Sequence, residues 1–200
     1  MLINLSLPKC AQRVDTEGAV HTEETLALAI QAAKERGIRE LVVATTTGTT
    51  ADCLERFDLT GLHVTVVTHA YGYAGPGQNT LPEEKREDYM RRGYSVCTAA
   101  HVLSGVERGL SGVSRGIYPG ELIAATLRLI SRGTKVCVEM GAMAADAGYI
   151  TPGEPIVAVA GSGRGADTAV VMRPANSHKI LDTRVDEFIC KPRAALHKTE

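Results

Sequence analysis

The sequence predicts an α/β fold. A single domain over residues 1–200 is expected, with helices on both faces of a mostly parallel central sheet in three α/β/α layers. Three observations predict it. Segments with helical spacing of apolar residues alternate with short apolar runs, and these runs are continuous, as in parallel strands buried on both faces. Only seven residues separate the last two runs, too few for a crossover helix, so an antiparallel C-terminal strand pair is expected.

The first half of the chain predicts helices and strands in alternation. A helix is expected from Thr22, whose hydroxyl can cap it, to a stop at Gly37. Glu23 and Glu24 suit the positive end of its dipole. The charge-dense segment 82–92 predicts a solvated helix. The other expected elements are a helix from about Thr50 through Leu54 and strands over residues 41–45, 63–68 and 94–98.

The second half predicts a helix over residues 121–132, with Leu122, Ala125, Leu129 and Ile130 on one side. Strands are expected over residues 135–140, 155–160 and 168–173. Before them, residues 103–109 (LSGVERG) recur as residues 110–116 (LSGVSRG) with six of seven positions unchanged. The glycine density of this duplicated segment predicts a loop, either a mobile lid or a plain surface excursion.

The composition argues against several function classes. Lys plus Arg total 22 against 23 Asp plus Glu, so charge gives no reason to expect nucleic acid or an anionic membrane as partner. No apolar run approaches the roughly 20 residues of a membrane helix, and no signal-peptide pattern is found at the start. The five cysteines form no Cys-x-x-Cys pair, and the six histidines lack metal-ligand spacing. A reduced, cytoplasmic protein without a metal site is expected.

Five threonines surround one glycine directly after the first predicted strand, where ligands bind in open α/β sheets. A helix is expected to follow, and unpaired N–H groups at a helix start favour an anion such as a phosphate monoester. The alternative is that Thr49 or Thr50 only caps the helix while the others satisfy a tight turn. The candidate phosphate-binding residues are Thr45, Thr46, Thr47, Gly48, Thr49 and Thr50.

A second glycine-rich loop connects the last two predicted strands. The residue types of this loop resemble the glycine-rich motif that binds dinucleotides. That motif must lie at the start of a helix, whereas a strand is expected to follow here. A glycine-rich hairpin with one guanidinium and one carboxylate remains, and the alternative is a surface turn in which Arg164 and Asp167 pair with each other. The candidate binding residues are Gly161, Gly163, Arg164, Gly165, Ala166 and Asp167.

His69, followed by Tyr71 and Tyr73, also comes after a predicted strand, so it is a further candidate for the same crevice. No residue stands out as acid or base. Glu139, His69 and Asp167 all remain candidates for that role, and no nucleophile elbow or Walker loop is found.

The two loops resemble those of the C-terminal alpha/beta domain of pyruvate kinase, which binds the phosphate of a sugar bisphosphate at a threonine-rich loop. A closer resemblance is to stand-alone pyruvate kinase alpha/beta domain proteins of archaea and bacteria. It is carried by TEETL, LVVATTTGTTA, HVLSGVERG, KVCVEM, MAADAG and GRGADTAVVMRPA, which together cover most of the chain.

This resemblance implies flavin mononucleotide (FMN), with its phosphate at residues 45–50. The ring would then reach across the strand ends to residues 161–167, where Arg164 would stabilise negative charge on the reduced flavin. It also implies a homo-oligomer, because the related kinase domain helps to build a tetramer. The catalytic barrel of pyruvate kinase is missing from this sequence, so kinase activity is not expected. Two functions stay open: an FMN-dependent oxidoreductase of unknown reaction, and a non-catalytic sensor or binding module for a phosphorylated small molecule.

Overall fold

The computed structural model describes residues 18–193, which contain a six-stranded mixed sheet with helices packed on both faces. The strands are β1 (Glu40–Ala44), β2 (His63–Val67), β3 (Ser95–Cys97), β4 (Ile156–Ala160), β5 (Thr168–Arg173) and β6 (Arg184–Cys190). The α-helices are α1 (Thr22–Arg36), α2 (Thr49–Asp52), α3 (Glu83–Arg91), α4 (Gly105–Ser114), α5 (Pro119–Arg128) and α6 (Arg132–Asp146). None of these helices is long and apolar enough to span a bilayer.

The strand order is β3-β2-β1-β4-β5-β6. β1 lies between β2 and β4 and is parallel to both, and β3 extends the parallel part beyond β2. β5 runs antiparallel to β4 and to β6. The predicted fold class is therefore confirmed, including the antiparallel pair formed by β4 and β5.

The sheet separates two apolar cores, because successive strand side chains point to opposite faces. On one face Leu41 and Val43 pack with Leu26 of α1. On the other face Val42 packs with residues of α6 such as Met140. The elements therefore form three layers.

The first helix agrees with the prediction in extent but not in its cap. α1 begins at Thr22 and ends before Gly37, which adopts the left-handed conformation with φ of 65°. The Thr22 hydroxyl does not cap α1; it accepts a hydrogen bond from the Ala166 N–H at 3.0 Å. Thr22 therefore links the start of α1 to the glycine-rich loop.

The predicted strand over residues 135–140 is wrong, because these residues lie within α6. Ser131 caps this helix by accepting a hydrogen bond from the Thr134 N–H at 2.9 Å. Most of α6 is buried, so its sequence lacks a polar face and its apolar run has no helical period. The helix predicted over residues 121–132 is likewise divided, since α5 ends at Arg128 and α6 begins at Arg132.

The predicted loop over the duplicated segment 103–116 is wrong, although the segment does lie at the surface, with no buried residue in its helix. The segment contains α4, in which Val106, Leu110 and Val113 recur at helical spacing. The glycines lower helix propensity without preventing the helix. β6, which pairs with β5 along one edge of the sheet, has no counterpart among the predicted elements.

Candidate functional site

A cavity of about 720 Å³ opens where β1, β2 and β4 end. These strands are parallel neighbours, so their carboxyl ends meet at one edge of the sheet. The loops that follow the three strands line the cavity, together with α6 and the start of α4. Of the predicted site residues, ten line it: Thr45, Thr46, Thr47, Thr49, Thr50, His69, Gly161, Gly163, Arg164 and Gly165.

The threonine loop presents one buried hydroxyl without a partner. The Thr45 N–H donates to the Val67 carbonyl at 2.9 Å, which holds the loop against β2. The Thr45 side chain is buried, and its hydroxyl has no hydrogen-bond partner among the described residues. The Thr47 and Thr49 hydroxyls lie 3.2 Å apart and are exposed. The loop therefore offers several hydroxyls to the cavity, one of them unsatisfied.

Gly48 faces away from the cavity. Its φ is 98°, and a Cβ there would lie 2.6 Å from both Lys85 Cδ and Tyr89 Oη of α3. Lys85 forms an ion pair with Asp52 at 2.6 Å, and Tyr89 Oη lies 2.5 Å from Asp52 Oδ1. Burial and the Asp52 carboxylate raise the pKa of Tyr89, so it stays a hydrogen-bond donor. The glycine is required for the close approach of α3 behind the threonine loop.

Asp167 organises the second loop from within. The side chain is fully buried, and Oδ2 accepts hydrogen bonds from the backbone N–H groups of Gly18 and Ser162, both at 3.1 Å. Oδ1 accepts from the Thr168 hydroxyl at 2.8 Å. No ion pair joins Asp167 to Arg164 among the described residues, so the alternative of a surface Arg–Asp pair is wrong, and Arg164 lines the cavity while exposed to solvent.

Two residues of this loop are fixed by contacts with α1. Ala166 is fully buried, and its carbonyl accepts from the Thr25 hydroxyl at 3.3 Å. A Cβ on Gly165 would lie 2.4 Å from the Thr22 hydroxyl and 2.4 Å from Ala19 Cα, so only glycine fits. Ala166 and Asp167 therefore shape the loop, while Gly161, Gly163, Arg164 and Gly165 face the cavity.

A buried ion pair on α6 forms the opposite wall. Lys135 Nζ contacts the Glu139 carboxylate one helical turn away, with side chains 8% and 7% exposed. Glu139 Oε1 also accepts a hydrogen bond from the Leu103 N–H at 3.0 Å, which ties the start of α4 to α6. Lys135 and Arg108 were not predicted as site residues from the sequence. The signal for Lys135 is the i,i+4 spacing to Glu139, which is visible only when the segment is treated as a helix.

Two histidines meet beside this ion pair. His69 follows β2 and His101 follows β3, and His69 Nδ1 lies 3.2 Å from His101 Nε2. The Tyr73 ring stacks on His69 with centroids 4.1 Å apart and an angle of 9°. Burial lowers the pKa of both histidines, which keeps them neutral near pH 7. His101 was not predicted as a site residue, and no spacing in the sequence relates it to His69.

Thiol and metal chemistry find little support in the described residues. Cys53, Cys97, Cys137 and Cys190 are free thiols, and burial raises the pKa of Cys97 to about 11. A thiol with so high a pKa is a poor nucleophile. No group of three or more potential metal-ligating side chains converges between residues 18 and 193.

Comparison with known proteins places the fold in a family. The model of the "Pyruvate kinase, alpha/beta domain" family matches residues 23–172, from α1 into β5. Among solved structures, a pyruvate kinase from Cryptosporidium parvum is similar with a TM-score of 0.41 and 15% identity over 79% of this chain. The chain spans 23% of the length of that enzyme. Since the family match covers three quarters of the 200 residues, the chain belongs to the pyruvate kinase alpha/beta domain family.

Proposed function

We propose that the cavity binds FMN, with the phosphate held by the threonine loop. The observation that carries the proposal is the Thr45 hydroxyl: Thr45 lines the cavity, and its buried hydroxyl has no hydrogen-bond partner between residues 18 and 193. A buried hydroxyl that lacks a hydrogen bond costs about 1–3 kcal/mol. A phosphate oxygen in the cavity would satisfy it and would also accept hydrogen bonds from Thr47, Thr49 and Thr50.

The charge of the cavity wall suits a phosphate ester. Arg108, Lys135 and Arg164 line it, and Glu139 is the one carboxylate among the described lining residues. This excess of positive charge occurs in a chain whose net charge is −1. Cationic side chains and hydroxyl donors together are the usual means of binding a doubly charged phosphate.

The size and apolar lining of the cavity suit a flavin ring. A volume of about 720 Å³ lies within the 300–1,000 Å³ typical of small-molecule sites. Val136, Met140 and Met143 of α6 supply apolar surface, and Arg164 lies on the glycine-rich side. A bound flavin would supply redox chemistry, and a cation near its ring stabilises negative charge on the reduced form.

Titration with two flavins tests this proposal. FMN is expected to bind at least about 10-fold more tightly than riboflavin, because only FMN carries the phosphate that meets the threonine loop. Thr47→Val is expected to weaken the binding of FMN and to leave the binding of riboflavin unchanged. A protein that takes up neither flavin contradicts the proposal, and equal affinity for both contradicts the phosphate position.

The same complex separates the two candidate functions. If the bound FMN is bleached by NADH or NADPH, an oxidoreductase is supported. If NADH and NADPH do not bleach the bound FMN, while added FMN raises the melting temperature of the protein, a module that binds a phosphorylated small molecule without turnover is supported. We place either activity in the cytoplasm, which is supported by the four free thiols among the described residues.

We also propose that two copies associate through an apolar face on α4 and α5. Seven large apolar side chains on α4, on α5 and just after each helix are 41% to 89% exposed: Val106, Leu110, Val113, Ile117, Leu122, Leu129 and Ile130. Together they expose an area on the order of the 800 Å² per partner of a standard interface. An apolar face of this size on a lone chain is unusual, and a second copy of the same face would cover it.

A further inference from the structure

The His69–His101 pair has a defined arrangement of hydrogen atoms. The Ala70 backbone N–H lies 3.4 Å from His101 Nε2 and can only donate to it. His101 Nε2 is therefore an acceptor without a hydrogen of its own. The 3.2 Å contact between His69 Nδ1 and the same nitrogen is then a hydrogen bond only in the tautomer with the hydrogen on His69 Nδ1, and the proposal below uses this tautomer.

This arrangement leaves the other nitrogen of His69 as a base. A neutral imidazole carries one hydrogen, so His69 Nε2 has a free lone pair. Nε2 has no hydrogen-bond partner among the described residues, and the His69 side chain lines the cavity. Tyr73, stacked on the ring at 4.1 Å, and His101 together hold the imidazole in place.

The charged groups around His69 favour its neutral form. Glu139 and Lys135 face it from α6, Arg108 from α4, and His101 from the loop after β3. Burial lowers the pKa of His69 most, and His101 and the two cations lower it further, while Glu139 opposes them. The lowered pKa therefore favours the unprotonated form of His69 at neutral pH.

We propose that His69 is a general base and that the cavity is the active site of an enzyme acting on a small anionic substrate with an acidic proton. His69 Nε2 takes the proton, and the imidazolium keeps its Nδ1–H on His101. The bonding electron pair stays on the substrate, where Arg108 and Lys135 stabilise the negative charge. The proton then returns to water or product. The step does not depend on the identity of the ligand at the threonine loop.

A base-catalysed elimination tests this with a defined probe. In 5-nitrobenzisoxazole a base removes the proton on C3, the C–H electrons form a nitrile, and the N–O bond breaks to release a coloured phenolate. The purified protein is expected to accelerate this reaction above buffer. His69→Asn is expected to lower the rate by about 100-fold, the lower end of the usual contribution of a general base. His63→Asn, a histidine at the start of β2 outside the cavity, is the matched control and keeps the rate.

The pH profile distinguishes a base from a structural residue. The wild-type rate is expected to persist below pH 6.5, the ordinary pKa of a histidine. His101→Asn is expected to lower the rate at every pH, because the acceptor that holds the His69 Nδ1–H is removed. A profile unchanged by His101→Asn contradicts the positioning role of His101.

Chemical modification keeps the proposal testable if His69→Asn does not fold. Diethyl pyrocarbonate acylates unprotonated imidazole nitrogens, so the loss of elimination rate is expected to parallel carbethoxylation of His69, located by mass spectrometry. A wild-type rate equal to that of folded His69→Asn, or full loss of rate with His69 unmodified, overturns the proposal. FMN affinity is measured on the same samples, so a failure of FMN binding is seen separately.

Discussion

At the scale of single residues, the protein keeps polar groups that a purely structural domain does not need. The buried Thr45 hydroxyl at the cavity wall has no hydrogen-bond partner in the described part of the chain, and the His69 side chain lines the same cavity. Asp167, by contrast, is fully satisfied by backbone and hydroxyl donors and serves its loop. The unsatisfied groups are therefore the informative ones, because burial without a partner carries a cost.

Thr45→Val is expected to act in opposite directions on stability and on binding. Without ligand the change removes an unsatisfied buried hydroxyl from a side chain of similar shape, so the free energy of unfolding should rise by up to about 1 kcal/mol. With FMN the affinity should fall, by about 5-fold to 10-fold for one lost hydrogen bond. Thermal melts and flavin titration measure both effects.

Thr80→Val is the matched control for Thr45→Val. The Thr80 hydroxyl is also buried without a partner among the described residues, but Thr80 does not line the cavity. Thr80→Val should change the free energy of unfolding and leave the affinity for FMN unchanged. A Thr45→Val protein that binds FMN as well as wild type would contradict the phosphate position at this loop.

Stability should decrease as the pH falls below about 6.5, because of the two cavity histidines. Burial keeps the folded-state pKa of His69 and His101 below the unfolded value. Between these values the unfolded chain binds protons that the folded chain does not, so the free energy of unfolding falls with pH. His69→Asn should reduce this pH dependence. Chemical denaturation at pH 7.5, 6.5 and 5.5 measures it, and equal slopes in wild type and His69→Asn would argue against a lowered His69 pKa.

At the scale of elements, α6 combines a core helix with one wall of the cavity. The buried Lys135–Glu139 pair lies on this helix, and Glu139 anchors the start of α4 through the Leu103 N–H. Breaking such a pair leaves a charge buried without its partner, whereas replacing both charges together costs far less. The pair therefore couples the position of α4 to the cavity.

Lys135→Met should destabilise the fold by about 3 kcal/mol, because Glu139 then remains buried without its cation. Adding Glu139→Gln should restore much of the loss, since the glutamine oxygen can still accept from the Leu103 N–H. Lys34→Met, which removes an exposed pair with Asp58, should cost far less than Lys135→Met, because solvent screens the exposed charges. Urea denaturation measures all three, and a single variant no worse than the double variant would contradict a coupled pair.

At the scale of the whole molecule, the exposed apolar side chains of α4 and α5 are not covered by the described part of the chain. Val113→Glu places a charge at the most exposed of them and should convert a dimer to a monomer, because a buried unpaired charge is costly at an interface. Leu181→Glu, at an exposed apolar side chain on a 3-10 turn elsewhere, is the control and should change nothing. Light scattering with size-exclusion chromatography measures the mass. A wild-type monomer at 100 μM would contradict the proposed association.

Much of the fold is readable from residue types alone. The continuous apolar runs of β1, β2 and β4 report burial on both faces, and the short link before β5 allows only an antiparallel return. The loops after β1 and β4 are also visible as candidate sites, because glycine and threonine at strand ends are a local pattern. The strands and the two loops depend on residues that are close together in the chain, so the sequence alone is enough to predict them.

Other features depend on contacts that only the folded chain makes. Residues 135–140 have the composition of a strand, but they lie in a helix that is buried along most of its length, and such a segment shows no period that separates the two. His69 and His101, far apart in sequence, meet because β2 and β3 are parallel neighbours. The sequence by itself determined the layers and the ligand edge of the sheet. The tertiary structure decided which polar side chains converge there, because that depends on strand order and on the position of α6.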